Sequence, residues 1–184
     1  MKTILLISVI ILFSLTTIGQ NLKALDDKYG FREAKLEMPI SSFKNLELAI
    51  GSLEDYPNEK SYKVLNCDLH IGEYDLDGID YWFYKGQLSS IQITISKGYS
   101  NQDGVLKVLE AAYGKGVYKK NSLGDEIYTW DGEKVSMTYT LGSNYMPEGD
   151  LQISCKKLMT KSIADKRLMD QQKDQEILKA AKKL

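Results

Sequence analysis

Residues 73–95 read EYDLDGIDYWFYKGQLSSIQITI, and the way this stretch turns decides the fold. Two runs of alternating apolar residues are joined by Lys85-Gly86-Gln87, and Asp77-Gly78 interrupts the first. Asp-Gly between alternating runs is a strong hairpin signal, because both turn residues must reach positive φ. A two-residue turn at Asp77-Gly78 sets Leu76 against Ile79 and Tyr74 against Tyr81. A three-residue turn at 85–87 then sets Tyr81 opposite Ile91 and Ile79 opposite Ile93. One face thereby gathers Tyr74, Leu76, Ile79, Tyr81, Phe83, Ile91, Ile93 and Ile95, as register must where one face is buried. That face is the expected core.

The opposite face carries Ile71, Trp82, Tyr84 and Leu88 among Ser90, Gln92 and Thr94. A solvated sheet face does not normally concentrate a tryptophan, a tyrosine and two aliphatics. Either another element covers them, the N-terminal helix or the C-terminal tail, or a ligand or partner does. Ile71, Trp82, Tyr84 and Leu88 are the candidate binding residues.

A second meander repeats the plan. Asp131-Gly132 joins "EIYTW" to "EKVSMTYTL", the turn "MPEGD" follows, and then "LQISCKKL". Alternation groups Tyr128 and Trp130 with Val135, Met137, Tyr139 and Leu141, and Cys155 with Leu151 and Ile153. Between the meanders, "SNQDGVLKVLEAAYGKG" reads as a helix with Val105, Leu106, Leu109, Ala112 and Tyr113 inward, stopped at Gly114. The two Asp-Gly pairs lie 54 residues apart, which suggests a duplicated strand-strand-strand-helix unit. Upstream, "LKALDDKYGF" is a short helix ended by Gly30, and "FREAKLEM" is a strand. Pro39 opens a helical turn, and "GSLEDYPNEKS" is a surface loop. "YKVLNCDLHI" is a strand or a pair of bent strands. The fold class is α+β: an antiparallel sheet from two meanders with helices packed on one side, followed by a charged C-terminal helix from about Thr160.

The N-terminus carries one lysine, Lys2, then an apolar run from Ile4 to Leu15, shorter than the roughly 20 residues that span a bilayer. Thr17 and Gly19 place small residues before a cut at Gln20, the layout of a secretory signal peptide. Residues 1–19 are therefore read as signal peptide, 20–158 as one α+β domain, and 159–184 as the charged helix or tail. The mature chain has no transmembrane segment and is expected in the periplasm or outside the cell. From Lys156 onward there are 9 basic and 4 acidic residues, against 14 basic and 21 acidic from Gln20 to Cys155. Such a cationic tail folds back on the acidic body or reaches an anionic partner. Cys67 and Cys155 are the only cysteines; in an oxidising compartment they are either a disulfide or two buried thiols.

Residues that signal specific chemistry are few. Set on a calcium loop of the EF-hand kind, Glu73, Asp75, Asp77 and Gly78 fill positions one, three, five and six. Asp80 then stands where an apolar residue belongs, and Tyr84 where the bidentate glutamate belongs. The hairpin register also sets Asp75 across from Asp80, a repulsive pair that a cation or a lysine would relieve. His70, the only histidine, shares a strand face with Asp68, but no serine or cysteine is marked as a nucleophile beside it. "GKG" lacks the context of a nucleotide loop, zinc spacing is absent, and the acidic body argues against nucleic acid. Nothing in the sequence calls for a cofactor.

"FREAKLEMPISSF", "YWFYKGQLSSIQI", "AAYGKG" and "YTWDGEKVSMTY" together resemble a recurrent pattern in uncharacterised secreted proteins of Bacteroidota-like bacteria. Their rhythm is similar to that of small envelope modules of the BamE/SmpA and beta-lactamase-inhibitor-protein type. The resemblance covers roughly residues 29–158, and its positions are mostly aromatic and aliphatic, so no functional residue transfers. It implies helices on antiparallel strands and action by binding another envelope or secreted protein. The chain departs from the BamE type in having no cysteine after the cut for lipidation. Two expectations follow: a non-enzymatic binding module using the Trp82 face, or an exported enzyme or glycan-binding protein with a loop-built site near His70.

Overall fold

The computed structural model of the chain describes residues 20–49, 56, 58–143 and 146–181. The expected signal peptide and its cut lie outside the described residues. The elements in order are α1 (Leu22–Lys28), β1 (Gly30–Phe31), β2 (Ala34–Lys35), β3 (Leu46–Leu48), β4 (Glu59–Val64), β5 (His70–Ile71), β6 (Tyr74–Tyr84) and β7 (Gln87–Ile95). They continue with α2 (Tyr99–Tyr113), β8 (Val117–Lys120), β9 (Glu126–Asp131), β10 (Val135–Thr140), β11 (Gly149–Cys155) and α3 (Lys156–Ala181). A 3₁₀ turn at Ile40–Ser42 follows Pro39.

The fold is α+β with a main antiparallel sheet, ordered β3-β4-β6-β7-β11-β10-β9-β8, with β5 paired onto the start of β6, beside a separate two-stranded β1–β2 sheet. The two meanders meet where β7 pairs β11, setting Ile93 against Leu151 and Ile91 against Ile153. The expected pairs Ile79–Ile93 and Tyr81–Ile91 are formed. Leu76, Ile79, Phe83 and the isoleucines of β7 are all buried.

The turns that produce this register differ from the sequence reading. Asp77-Gly78 is not a hairpin. β6 runs straight through it for 11 residues, and Asp77 is an extra residue bulged opposite Ile95 and Thr94. A bulge keeps Leu76 and Ile79 on one face as a turn would have done, so the core list survives the wrong turn. Pairing Leu76 with Ile95 extends the apolar ladder, which a turn at that point would cut short. The hairpin lies earlier, at Gly72-Glu73, where Gly72 has φ 63° as a type II′ turn requires. Lys85-Gly86 is a two-residue turn with φ 48° and 78°, and Ser89 is bulged to restore the register beyond it. "FREAKLEM" is likewise a tiny hairpin, β1–β2, rather than one strand.

In the second meander, Asp131 pairs Ser136, so the loop is longer than two residues. The shift of four residues is even, so Tyr128, Trp130, Met137 and Tyr139 still share a face. Asp26 of α1 holds this loop, its carboxylate accepting from the N–H groups of Glu133, Lys134 and Val135 at 2.8–2.9 Å. Burial works to raise the Asp26 pKa, but those three N–H groups more than offset it and hold the carboxyl below its usual value. α1 itself ends at Tyr29, which takes a left-handed φ of 48° and returns its N–H to Leu25. Gly30 follows because a Cβ there would sit 2.0 Å from the Ala34 carbonyl oxygen.

α1 and α2 pack on the isoleucine face. Val105, Leu106 and Leu109 are buried as expected, whereas Ala112 is exposed. The Tyr139 hydroxyl donates to the Gln102 carbonyl at 3.0 Å, and the Trp130 indole to Gly114 at 2.7 Å. α3 leaves β11 at Lys156, four residues before the expected start, buries Leu158 with the core, and then crosses to the opposite face of the sheet.

Candidate functional site

That opposite face is built from alternate residues of six paired strands. One row runs Ser61, Trp82, Ser90, Ser154, Ser136, Asp131; the next runs Lys63, Asp80, Gln92, Gln152, Thr138, Thr129. A third runs Gly78, Thr94, Asp150, Thr140. Hydroxyl and amide side chains dominate the first two, and the third continues from Thr140 to Ile127.

α3 covers only one end of it. Ser162, Asp165 and Lys166 recur at helical spacing and face the sheet. Ser162 donates to the buried Glu59 carboxylate, and Lys166 pairs with the same carboxylate at 2.7 Å. The Tyr84 hydroxyl donates to Asp165 at 2.7 Å, and Lys85 meets that aspartate at 2.8 Å. Burial, followed by the Asp165 contact, raises the Tyr84 pKa, while Lys85 and then Tyr84 hold the Asp165 carboxyl low. The docking of α3 beyond Leu158 is thus largely polar.

Between α3 and the sheet lies a cleft of about 190 Å³ lined by Glu59, Trp82, Phe83, Ser89, Ser90, Gln92, Gln152, Met159 and Lys166. Trp82 is half-buried, and its indole N–H donates to Gln92 Oε1 at 3.3 Å. Gln92 in turn donates to Asp150 at 2.8 Å. The tryptophan ring is therefore held in one orientation at the border between the covered and open parts of the face.

Of the four candidate binding residues, two stand together here. Trp82 and Tyr84 share this face, with Tyr84 buried under α3. Leu88 does not: the bulge at Ser89 turns it to the core, opposite Phe83 and fully buried. Ile71 lies across from Tyr74, whose ring abuts α2 at Gly104, so it packs on the core side as well.

The acids of 73–80 are dispersed. Asp75 faces His70, Asp77 accepts from Ser96 at 2.5 Å, and Asp80 lies across from Lys63. Burial raises the Asp80 pKa and Lys63 works against it. With Asp75 and Asp80 on one strand, the expected repulsive cross-strand pair is not formed. Among the described residues no group of three or more His, Cys, Asp or Glu is arranged to hold a metal ion, and Glu73, Asp75, Asp77 and Asp80 do not converge. Cys67 and Cys155 are free thiols. Cys67 lies 3.6 Å from the Val64 carbonyl, and Cys155 is buried beside the Tyr29 hydroxyl at 3.3 Å.

His70 is exposed between two carboxylates, Asp68 at 2.8 Å and Asp75 at 3.4 Å. Arg32 binds the carbonyls of Asp68 and His70 and ties this loop to the β1–β2 turn. The histidine braces a loop, and no hydroxyl or thiol is hydrogen-bonded to it among the described residues.

The cleft residues that the sequence reading missed are Glu59, Ser89, Gln152, Met159 and Lys166. Glu59 was hidden in a stretch read as loop, and its partner Lys166 is 107 residues away. Gln92 and Ser90 were visible as the polar members of the Trp82 face. No protein family, curated protein or solved structure matches this chain. No helix among the described residues is long and apolar enough to cross a membrane.

Proposed function

We propose that the chain is an exported, non-enzymatic binding module whose working surface is the sheet face opposite α1 and α2. Its partner is another envelope or secreted protein. One observation carries this reading: beyond the α3 contacts, Thr94, Asp150, Thr140, Thr138 and Thr129 form a continuous, partly exposed polar stretch of the face, bordered by the half-buried Trp82. Four adjacent strands present a broad polar set, chiefly threonine hydroxyls, able to meet a partner's polar side chains and backbone. The apolar run Ile4–Leu15 and the small residues Thr17 and Gly19 support export.

The test is site-specific photo-crosslinking in cells exporting the full chain. Probes at Thr138 and Thr140 are compared with a probe at the exposed Val108 on α2. A discrete adduct from the two threonines and none from Val108 is the expected result. Adducts of equal yield from all three, or none from the threonines, would overturn the reading.

A further inference from the structure

We infer that the cleft beneath α3 is a binding site for a single uncharged pyranose ring. This goes beyond the protein-binding face, because the cleft is a separate concavity at the end that α3 covers. At about 190 Å³ it is smaller than the roughly 300 Å³ at which drug-sized pockets begin, so it suits one ring. Trp82 forms an aromatic wall whose orientation is fixed by its bond to Gln92, and Met159 stands in the lining with it. A sugar ring has an apolar C–H face that stacks on such a wall, and an edge of hydroxyls that each donate and accept.

The polar lining matches that edge. The Gln152 amide is exposed and makes no side-chain hydrogen bond among the described residues, so two donors and an acceptor are open. Lys166 keeps N–H groups beyond its contact with Glu59, and the Glu59 oxygens keep lone pairs beyond Ser162 and Lys166. Ser89 and Ser90 already bond the Trp82 and Ile153 carbonyls at 2.9 and 3.2 Å, which fixes the floor. Glu59 and Lys166 cancel within the lining, so a ligand bearing net charge would be left without a counter-charge there. The preference is for a neutral ring.

The two tryptophans allow a direct test. Trp130 is fully buried, so acrylamide quenches chiefly Trp82. Purified chain is titrated with the methyl glycosides of glucose, galactose and N-acetylglucosamine, with sorbitol (hydroxyls, no ring) and glucuronate (charged ring) as controls. At least one neutral glycoside at tens of millimolar should protect Trp82 from quenching, and neither control should. Gln152→Ala, an exposed change that leaves the fold intact, should weaken that protection by about tenfold, equivalent to ~1.4 kcal/mol. The proposal fails if no glycoside protects Trp82, if sorbitol or glucuronate protects equally, or if Gln152→Ala binds as well as the parent chain. The crosslinking result at Thr138 is read independently, so the sugar site and the protein-binding face stand or fall separately.

Discussion

The chain has two tryptophans, one on each face of the same sheet, and they live in different physical environments. Trp130 sits among Met137, Tyr139 and α2, with no exposed surface and its indole N–H bonded to Gly114. Trp82 sits among serines and glutamines, half-covered by a helix that binds through Glu59, Tyr84 and Lys85. The apolar face is closed by two helices that bring their own Val105, Leu106, Leu109 and Leu25. The polar face is met by a helix whose sheet-facing residues are mostly a serine, an aspartate and a lysine. Hydrophobic burial fixes the first face, and a small set of directional contacts positions the second.

The largest expected effect lies in that contrast. Trp130→Ala removes a fully buried ring and leaves the Gly114 carbonyl without its donor, and should cost about 3–5 kcal/mol of folding stability. Trp82→Ala should cost about 1–2 kcal/mol, because part of its surface is already in water. Urea unfolding of both variants measures the difference. Equal losses would mean that the two faces are not distinct in the way described.

A smaller effect comes from Asp26, which anchors the core-side helix α1 to the β9–β10 loop. Asp26→Ala should cost about 2 kcal/mol, the scale of hydrogen bonds to a charged group. Its folded pKa is lowered, so its contribution is complete above the unfolded carboxylate value and disappears as pH falls through the folded one. Stability of the parent chain should therefore decline below about pH 4, and the variant should show a shallower decline there. Parallel acid limbs would remove Asp26 from the explanation.

The polar contacts of α3 rank next. Glu59→Gln keeps the acceptor for Ser162 but removes the charge that holds Lys166, and should cost about 1 kcal/mol. The loss should be local: amide exchange should quicken in α3 while β7 and β11 stay protected. Quickened exchange throughout the sheet would show that α3 belongs to the core after all.

The asymmetry between the faces also explains what the sequence made legible. The core face followed from alternation alone, and two wrong turns did not disturb it. At Asp77 a bulge stood in for a turn, and at Asp131 an even shift preserved the side of every residue. The polar face was not protected by any such pattern. One bulged residue, Ser89, was enough to move Leu88 from the supposed binding patch into the core. Glu59 and Lys166 meet only because α3 crosses the sheet, and no local pattern in either segment encodes a contact 107 residues long. Periodicity reports burial, and it carries little about where charged residues find one another.

The smallest stability effect is expected at Thr138, and it bears most on function. Thr138 lies between Gln152 and Thr129 on the polar face, away from the residues that α3 contacts. It is partly exposed on the polar face, so Thr138→Arg should change folding stability by no more than about 0.5 kcal/mol. The added guanidinium nevertheless projects from the middle of the surface proposed to meet a partner. A bulky charge there should reduce crosslinking from a probe at Thr140 at least about tenfold, equivalent to ~1.4 kcal/mol of binding, while glycoside protection of Trp82 remains unchanged. Unaltered crosslinking would place the partner elsewhere. A large loss of stability would mean that this face is packed against something the described residues do not include, and the contrast between a closed and an open side of the sheet would have to be redrawn.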